Sequence, residues 1–579
     1  QRMFNLPRSS WQDYDKSKIS AGGGVFPRTQ KSITLSEAAA SAIGLKKTTA
    51  TPTEIMNAIL KARVDLLWFG GIGTYVRAAT ESNQDVGDRA NDAIRVTAAE
   101  VRASVIGEGA NLGVTQRGRI EYGLLGGRCN SDAIDNSAGV NSSDMEVNIK
   151  IALAAAMRRK KLTRVARNVL LVEMTEDVAS HVLANNYQQT LALSMSQRRG
   201  LADLAYQRRF ISGLEARGLL DRKVELLPDD SALSEREAKG QPLTRAELGV
   251  LLAYAKLTLF DDLVKGSLPD DPYLEHELTA YFPHRMAKEF PAEISAHRLR
   301  REIIATRLAN DIINRGGPAF VTRLKDLTGQ TDEAVGKAFV LVQEGYDLNR
   351  LYAEIDALDN KVDGAAQLGF YAIVAHLLET VTSWLLKNGD EKADLSTRIA
   401  RLREARAALE PELPRIMPAF MLASLEERSR GLQEAGAPDK LAAELALLGV
   451  TALVPDIAYV ASRSGADITA AARAFFTVSD IFRVGRIEEA AQALPTTDYY
   501  DRMALERATD ALGRARRDIC ASALAANGKD RDPVRAWMGA GGERIQRTRD
   551  RLQALTEGGE VTVSKLSVAS GLMTDLAGL

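Results

Sequence analysis

Two segments of the chain place asparagine next to glycine, a combination that suits the binding of a ligand with an amide group. Residues 107–111 read Gly-Glu-Gly-Ala-Asn, and residues 135–143 begin with Asp-Asn and continue through Ser-Ala-Gly. An asparagine side chain supplies both a hydrogen-bond donor and an acceptor, and glycine lets the backbone approach a ligand closely. If both segments follow neighbouring parallel strands, they flank the crevice in which open α/β sheets bind ligands.

A third glycine-rich segment, residues 70–74, follows a predicted strand and looks like part of a dinucleotide-binding fingerprint. The full pattern requires a third glycine where Val76 stands, and an acidic residue about 20 positions later. Val76 breaks the pattern. Two interpretations stay open: Gly71, Gly73 and Thr74 line a cofactor cleft, or the segment is a tight turn whose glycines need a positive φ.

The elements that must position these segments alternate between strand and helix patterns. A capping box of Thr51 and Glu54 predicts the start of a helix that ends near Ala62. The remaining predictions are strands at residues 64–69, 104–106 and 131–135, and helices at residues 88–101 and 115–125. Alternating strands and helices of this kind build a parallel sheet with crossover helices.

Beyond Asp144 the sequence changes to long helical patterns. Thr244 and Glu247 form a second capping box, which predicts a helix toward Phe260. The predicted fold class is therefore α/β followed by all-α. Its predicted parts are residues 1–145 in a parallel-sheet domain, 146–390 in a helical region that braces it, and 391–579 in a C-terminal helical domain.

One apolar stretch, residues 368–386, raises the question of a membrane. It contains His376 and Glu379 and lies among charged helices. A membrane-spanning helix needs about 20 mostly apolar residues without such groups. We therefore predict a buried core helix and no membrane partner.

The composition argues against several further classes of partner. The formal net charge is −1, whereas nucleic acid requires a basic field. The basic run of Arg514, Arg516 and Arg517 is interpreted as a solvated helix face.

The cysteines and histidines give no sign of a disulfide framework or a metal site. The two cysteines, Cys129 and Cys520, suit a reducing cytoplasm, and no signal peptide is recognisable. The five histidines lack the spacing of a metal site.

Several unusual strings occur together in one order. They are RSSWQDYDKS at residues 8–17, GGGVFPR at 22–28, LLWFGGIGTYV at 66–76, DVGDRANDAIRV at 85–96, GEGAN at 107–111 and SDAIDNSAGVNSSDMEV at 131–147. In this combination the chain resembles the large-subunit NAD-dependent glutamate dehydrogenases of bacteria. The rest of the chain is similar to the long helical C-terminal region of that family, with more diffuse motifs.

The resemblance implies NAD as the cofactor and a Rossmann-like cofactor domain, of which residues 1–145 are the second part. It places Asn111 beside the nicotinamide riboside and Asn136 beside the nicotinamide carboxamide. It places Ser143 at the side-chain carboxylate of the substrate. Alternatives stay open, because Asn111 could close its own turn and Ser143 could cap a helix.

The same resemblance assigns the loop residues Gly71, Gly73 and Thr74, and also Glu108, to the cofactor cleft. Glu108 could instead pair with a neighbouring arginine or accept backbone hydrogen bonds. The catalytic base and the substrate-holding lysines of the family match no segment of this chain, so no catalytic residue is assigned.

The implied reaction is NAD-dependent oxidative deamination of L-glutamate to 2-oxoglutarate and ammonia, with this chain supplying part of the cofactor cleft. The chain begins Gln1-Arg2-Met3, so we expect a piece of a longer polypeptide. Its expected partners are the upstream part of that polypeptide and further copies in a homo-oligomer. Two other interpretations stay open: a dehydrogenase for another amino acid, and a non-catalytic helical interaction scaffold with a vestigial cofactor domain.

Overall fold

A computed structural model describes residues 9–389, 393–494, 499–528, 530–557 and 560–578. The described residues form two compact units. Unit 1 contains residues 9–200, 211–255 and 279–298, and unit 2 contains residues 201–210, 256–278 and those from 299 onward. The predicted three-part division at residues 145 and 390 does not coincide with these units and stays a prediction for the complete protein.

Unit 1 is organised around a small parallel sheet. The strands of unit 1 are β1 (Ile33–Thr34), β2 (Thr49–Ala50), β3 (Leu66–Phe69), β4 (Val76–Arg77), β5 (Val96–Thr97), β6 (Val105–Glu108) and β7 (Arg128–Cys129). The parallel sheet has the order β3-β6-β7, with Trp68 opposite Gly107 and Ile106 opposite Cys129. β4 and β5 pair in parallel, and β1 and β2 pair antiparallel. The predicted parallel pairing is therefore confirmed.

Fourteen α-helices lie wholly or partly in unit 1, among the described residues. They are α1 (Glu37–Ala42), α2 (Pro52–Leu60), α3 (Asn83–Val86), α4 (Gln116–Leu124), α5 (Asp132–Asp135), α6 (Ser137–Arg158), α7 (Arg164–Glu173), α8 (Thr175–Arg199), α9 (Leu204–Ala216), α10 (Asp230–Ala238), α11 (Arg245–Lys265), α12 (Glu275–Tyr281), α13 (His284–Glu289) and α14 (Pro291–Ser295). The chain passes between the two units within α9, α11 and α12.

The two faces of the parallel sheet differ in burial. One face contributes Phe69, Ile106 and Cys129 to a hydrophobic core that also contains Tyr122 of α4. The Tyr122 hydroxyl donates a hydrogen bond to the carbonyl oxygen of Ala103 at 2.6 Å, which ties α4 to the sheet. On the other face Leu66 and Trp68 are 55% and 59% exposed. A parallel sheet is normally covered on both faces, so this face is unusually open.

Helix starts that have a local capping signal are where the sequence predicts them. Thr51 and Glu54 form both hydrogen bonds of the capping box, and the helix ends at Leu60. Thr115 accepts a hydrogen bond from the backbone N–H of Gly118 and starts α4. The Thr244 box starts α11, which runs past Phe260 to Lys265.

Three other local predictions are wrong. Residues 88–101 form short 3-10 turns around β5 instead of a helix, because Val96 and Thr97 pair with β4. Residues 131–135 form α5 instead of a strand; Asp132 and Asp135 suit a helix start, where negative side chains are stabilised. The loop predicted over residues 135–143 is mostly helical, since α6 begins at Ser137.

Unit 2 is helical throughout its described residues. After residue 299 its helices are α15 (Arg300–Gly316), α16 (Phe320–Thr328), α17 (Asp332–Gly345), α18 (Leu348–Asp356), α19 (Gly364–Asn388), α20 (Leu395–Leu409), α21 (Leu413–Ile416), α22 (Ala419–Glu434), α23 (Asp439–Thr451), α24 (Val454–Ser464), α25 (Ile468–Ile481), α26 (Val484–Gln492), α27 (Tyr499–Asn527), α28 (Pro533–Glu557) and α29 (Val563–Ala577). Gly542 kinks α28 through a positive φ of 58°. The long helical C-terminal region is therefore confirmed.

The apolar stretch at residues 368–386 lies in α19. By length and composition this helix could cross a membrane, and so could the bent pair α23 and α24. Phe370, Val374 and Val381 of α19 are nevertheless buried among the helices of unit 2. Glu379 pairs with the buried Arg323 of α16 at 2.7 Å. These contacts support the prediction of a core helix.

The basic run near residue 515 is only partly a solvated face, since Arg514 is exposed but its two neighbours are not. Arg516 and Arg517 are buried in α27. Arg516 pairs with Glu488 at 3.0 Å, and Arg517 pairs with Asp456 of α24. The prediction failed because acidic partners on other helices neutralise these charges, as burial of an arginine requires.

Candidate functional site

The fold brings the two predicted asparagines together at one end of the parallel sheet. Asn111 lies in the loop that follows β6, and Asn136 lies between α5 and α6. The side-chain amide of Asn136 donates a hydrogen bond to Oδ1 of Asn111 at 2.7 Å. Both side chains are at least partly accessible to solvent. The two segments lie side by side as the sequence predicts, although Asn136 follows the helix α5 and not a strand.

The hydrogen bond leaves the pair with complementary unused groups. Asn136 keeps its Oδ1 acceptor, and Asn111 keeps its amide donors. Among the described residues neither side chain makes another side-chain hydrogen bond. A primary carboxamide also has one acceptor and one donor group, so the pair fits that functional group. The free acceptor of Asn136 and the free donors of Asn111 are together compatible with the carboxamide of a nicotinamide cofactor.

The loop of residues 109–113, which carries Asn111, is held by backbone hydrogen bonds. The N–H groups of Gly109 and Ala110 both donate to the carbonyl of Phe69, at 2.8 and 3.0 Å. The carbonyl of Gly113 accepts from the N–H of Tyr75 at 2.8 Å. These bonds place the loop beside the glycine-rich segment at residues 70–74. Two of the predicted cofactor segments are therefore neighbours.

Leu112 shows that this loop is held in a specific conformation. Its φ of 54° lies in the left-handed region, which is disfavoured for residues with a Cβ. Its backbone N–H donates to Oδ2 of Asp132 in α5 at 2.9 Å. Asp135, on the same helix, accepts from the N–H of Glu108 at 3.0 Å. Contacts from α5 therefore support a loop conformation that the loop sequence alone does not favour.

Glu108 supports the loop instead of facing a ligand. Its side chain is fully buried. Oε1 accepts from the N–H of Val114 at 3.0 Å, and both oxygens accept from Arg119, at 2.7 and 3.0 Å. These partners occupy the carboxylate, so we correct the assignment of Glu108 to the cofactor cleft. Pairing with a nearby arginine, the alternative considered for it, is the observed arrangement.

The Glu108–Arg119 pair is a buried ion pair, in which burial raises the pKa of the Glu108 carboxyl above its usual value although Arg119 opposes the rise. Burial opposes the positive charge of Arg119, but the hydrogen bonds and the charge of Glu108 outweigh it and raise the pKa of the guanidinium above its usual value. Asp132 contributes to the same rise. Arg119 therefore stays charged under all ordinary conditions. Sequence reasoning missed both partners: Arg119 lies in no recognisable binding motif, and Asp132 lies in the string at residues 131–147 but was assigned no role.

Gly71, Gly73 and Thr74 have different local roles. Gly73 has a φ of 119°, whereas a Cβ built on Gly71 would meet nothing within 4 Å. Thr74 is buried, and its backbone N–H donates to Oδ2 of Asp88 at 2.8 Å. The pKa of Asp88 is lowered most by the hydrogen bond from the side chain of Asn91 and next by the bond from the backbone N–H of Thr74. The tight-turn interpretation therefore applies to Gly73, and contact of the three residues with a cofactor stays a prediction.

Ser143 lies within α6, about two turns after Asn136. The alternative that it caps the helix is wrong, because Asn136 occupies the N-cap position. Ser143 is exposed to solvent, so its hydroxyl is accessible to a ligand. Its role as a substrate contact stays a prediction.

Asp144, the residue after Ser143, is anchored to the helical part of unit 1. Its Oδ2 accepts from the hydroxyl of Tyr281 at 3.0 Å. That hydroxyl in turn accepts from the side-chain amide of Asn148 at 2.9 Å. His297 contacts the carbonyl of Asn148 at 3.1 Å, which makes it a core histidine. Within the described residues, no group of three or more His, Cys, Asp or Glu side chains is placed to hold a metal.

Comparison with known proteins finds two family models that match this chain. A family model described as the catalytic domain of bacterial NAD-glutamate dehydrogenase matches residues 1–196. A second model, described as the C-terminal part of glutamate dehydrogenase, matches residues 240–575. Together the two models account for most of the chain and include both asparagines.

Three curated relatives share the name NAD-specific glutamate dehydrogenase. The chain is 39% identical to the protein of Pseudomonas aeruginosa over 580 residues and 37% identical to that of Halomonas elongata over 582 residues. It is 34% identical to that of Mycobacterium tuberculosis over 578 residues. The alignments cover 98–100% of this chain but 36% of each relative. The chain therefore spans about a third of the length of the curated relatives it matches.

Proposed function

The chain belongs to the bacterial NAD-glutamate dehydrogenase family, and from that premise we propose that it forms part of an enzyme that oxidises L-glutamate to 2-oxoglutarate and ammonia. NAD is the proposed cofactor, and when bound it accepts the hydride from the substrate. The remaining contributions are those of the protein, which supplies binding, orientation and electrostatics.

The observation that supports this proposal most directly is the hydrogen bond between Asn136 and Asn111. The unused acceptor of Asn136 and the unused donors of Asn111 match a primary carboxamide in type. We propose that the pair holds the carboxamide of nicotinamide and so fixes which face of the ring meets the substrate. Ser143 is the proposed contact for the side-chain carboxylate of glutamate.

The parallel sheet is proposed to be the second part of a Rossmann-like domain. The order β3-β6-β7, with all pairs parallel, supports this proposal. The loops after β3 and β6 carry Gly71 and Asn111, on the side where such sheets bind ligands. Gly71, Gly73 and Thr74 are then proposed to line the nicotinamide half of the cleft.

The catalytic base and the substrate-holding lysines are proposed to come from the part of the complete polypeptide that lies outside these 579 residues. The length of the curated relatives supports this proposal, since 36% of each is matched here. Homo-oligomeric assembly and a cytoplasmic location are further proposals. Cys129 and Cys520, which are buried and free, suit a reducing compartment.

The experiment is a substrate and cofactor comparison with the complete polypeptide that contains this chain. NADH absorbance is followed with glutamate, leucine or valine as substrate, each with NAD or NADP. We expect turnover with glutamate and NAD and at most slight turnover with the other pairs. Efficient oxidation of leucine or valine, but not of glutamate, would overturn the substrate assignment. Calorimetry that detects no binding of NAD would favour the scaffold interpretation.

A further inference from the structure

Arg119 connects the two segments that carry the paired asparagines. It lies in α4 and is 2% exposed. Its guanidinium donates to both oxygens of Glu108, at the end of β6, and lies 3.2 Å from Oδ1 of Asp132 in α5. One buried side chain therefore joins the segment before Asn111 to the short helix before Asn136.

Each carboxylate that Arg119 contacts also holds the loop of residues 109–113. Glu108 accepts from the N–H of Val114 at 3.0 Å, and Asp132 accepts from the N–H of Leu112 at 2.9 Å. Both N–H groups belong to residues that follow Asn111 in the chain. Leu112, which donates the second of these bonds, has a left-handed φ of 54°. Removing Arg119 would leave both carboxylates without the cation that balances their charge.

The two amides lie on the two segments that Arg119 connects. Asn111 is carried by the loop, and Asn136 directly follows α5. Hydrogen bonds from charged groups are shorter and stronger than neutral ones, and a bidentate arginine also fixes direction. Arg119 is placed to control how the loop and α5 lie relative to each other, although it does not reach the ligand-accessible side of the asparagine pair.

We propose that Arg119 is a positioning residue for the asparagine pair: by bridging Glu108 and Asp132 it sets the separation at which Asn111 and Asn136 share their hydrogen bond and present their unused donor and acceptor to the cofactor. This inference rests on the proposed function of the pair as the nicotinamide contact.

The variant Arg119→Lys tests the proposal, because lysine keeps the charge but cannot bridge two carboxylates in a fork geometry. In the complete polypeptide we expect its dissociation constant for NAD to rise about tenfold, the change that corresponds to the loss of one hydrogen bond. The KM for glutamate should change much less. Asp132→Asn, which keeps an oxygen acceptor for Leu112, should show the same pattern more weakly.

A matched control separates positioning from a general loss of structure. Arg236 of α10 forms a bidentate pair with the buried Glu247, at 2.8 and 3.2 Å, elsewhere in unit 1. Arg236→Lys removes a similar fork from the same unit. We expect it to lower the melting temperature about as much as Arg119→Lys while leaving the affinity for NAD unchanged. If Arg236→Lys weakens NAD binding as much, Arg119 has only a structural role and the proposal fails.

A double-mutant cycle tests whether Arg119 acts through the pair. In the Asn136→Ala background the effect of Arg119→Lys on NAD affinity should largely disappear, because the contact it positions is already lost. Additive effects would overturn the proposal. If Asn136→Ala alone leaves NAD affinity unchanged, the proposed function of the pair fails instead. Should Arg119→Lys not fold, the same cycle is run with Asp132→Asn, and additivity there overturns the proposal.

Discussion

A side chain at Gly73 would collide with Asn91. A Cβ built on Gly73 would lie 2.6 Å from Nδ2 of Asn91, well inside van der Waals contact. That amide donates to Oδ2 of Asp88 at 2.7 Å, and the same oxygen accepts from the N–H of Thr74. The conformation of the glycine-rich segment, residues 70–74, therefore depends on the absence of a side chain at one position.

Gly73→Ala should destabilise unit 1 and weaken NAD binding. Alanine would have to adopt a φ of 119° and displace Asn91, at a cost on the order of 1–3 kcal/mol. Gly71→Ala, two residues away, is the control for the change in stability, since a Cβ there meets nothing within 4 Å. Thermal unfolding and NAD titration of both variants provide the measurement. Equal behaviour of the two would contradict the distinction drawn between these glycines.

The asparagine pair should behave as one unit toward NAD. Asn136→Ala and Asn111→Ala should each weaken binding by about 1–3 kcal/mol, because each leaves polar groups unpaired. The double variant should cost clearly less than the sum of the two, since residues that share a hydrogen bond are energetically coupled. Asn141→Ala, on α6 but outside the pair, is the control. Additive losses measured by calorimetry would argue against a shared contact.

Ser143→Ala should raise the KM for glutamate more than the KM for NAD. The hydroxyl is exposed within α6 and does not cap the helix, so its removal changes little in the fold. Loss of a hydrogen bond to a charged carboxylate costs about 1.5–3 kcal/mol. Ser142→Ala removes the same group from the adjacent position as a control. Steady-state kinetics in which both variants match the parent enzyme would refute the placement of Ser143.

Elements with a local signal could be predicted from the sequence. The capping boxes at Thr51 and Thr244 are satisfied by side chains three residues away, so no distant contact is needed to form them. Thr115 also needs only a near neighbour, since its hydroxyl accepts from the backbone N–H of Gly118. The neighbouring positions of the Asn111 and Asn136 segments were predicted on a basis that holds only for Asn111, because Asn136 follows the helix α5 and not a parallel strand.

Features that depend on distant partners could not be predicted. β5 exists because Val96 pairs with Val76, twenty residues earlier in the chain, and its sequence alone also fits a helix. The sequence around Arg516 and Arg517 predicts a solvated helix face. Their burial depends on Glu488 and Asp456, which lie on other helices and pair with them only in the folded unit 2. Arg119 contacts Glu108 and Asp132 at the same time. Only the folded unit 1 brings those two carboxylates together, so the sequence alone does not indicate this contact.

Glu506 should make the stability of unit 2 depend on pH. Burial, and then the negative charge of Glu379, raise the pKa of Glu506 to about 7, although Lys387, Arg323 and Arg502 oppose the rise. The folded state therefore binds the proton more tightly than the unfolded state. The resulting stability is present below about pH 4.5, the ordinary value for glutamate, and is lost as the pH rises through 7.

The measurement is urea unfolding of the complete protein at pH 5.5 and 7.5. The parent protein should lose about 2 kcal/mol more than Glu506→Gln over this interval, because glutamine cannot ionise. Glu404→Gln, at an exposed position of α20, should follow the parent protein. Identical pH dependence of the parent and Glu506→Gln would exclude Glu506 as the titrating group.

Residues 1–579 expressed alone should not oxidise glutamate. Hydride transfer requires that the substrate and the cofactor are held close together by residues on more than one side of the site. Unit 1 supplies only the proposed contacts of Asn111, Asn136 and Ser143. Among the described residues β3 pairs only with β6, and its side chains Leu66 and Trp68 are more than half exposed. An open strand edge beside an apolar face also favours aggregation.

The test compares the 579-residue chain with the complete polypeptide at equal molar concentration, with saturating glutamate and NAD. NADH should accumulate with the complete polypeptide and not with the isolated chain. The isolated chain should still show weak NAD binding that Asn136→Ala abolishes, because the carboxamide contacts lie within unit 1. Sustained turnover by the isolated chain would mean that a complete active site lies within these residues, including a base and substrate-binding cations that the resemblance does not identify.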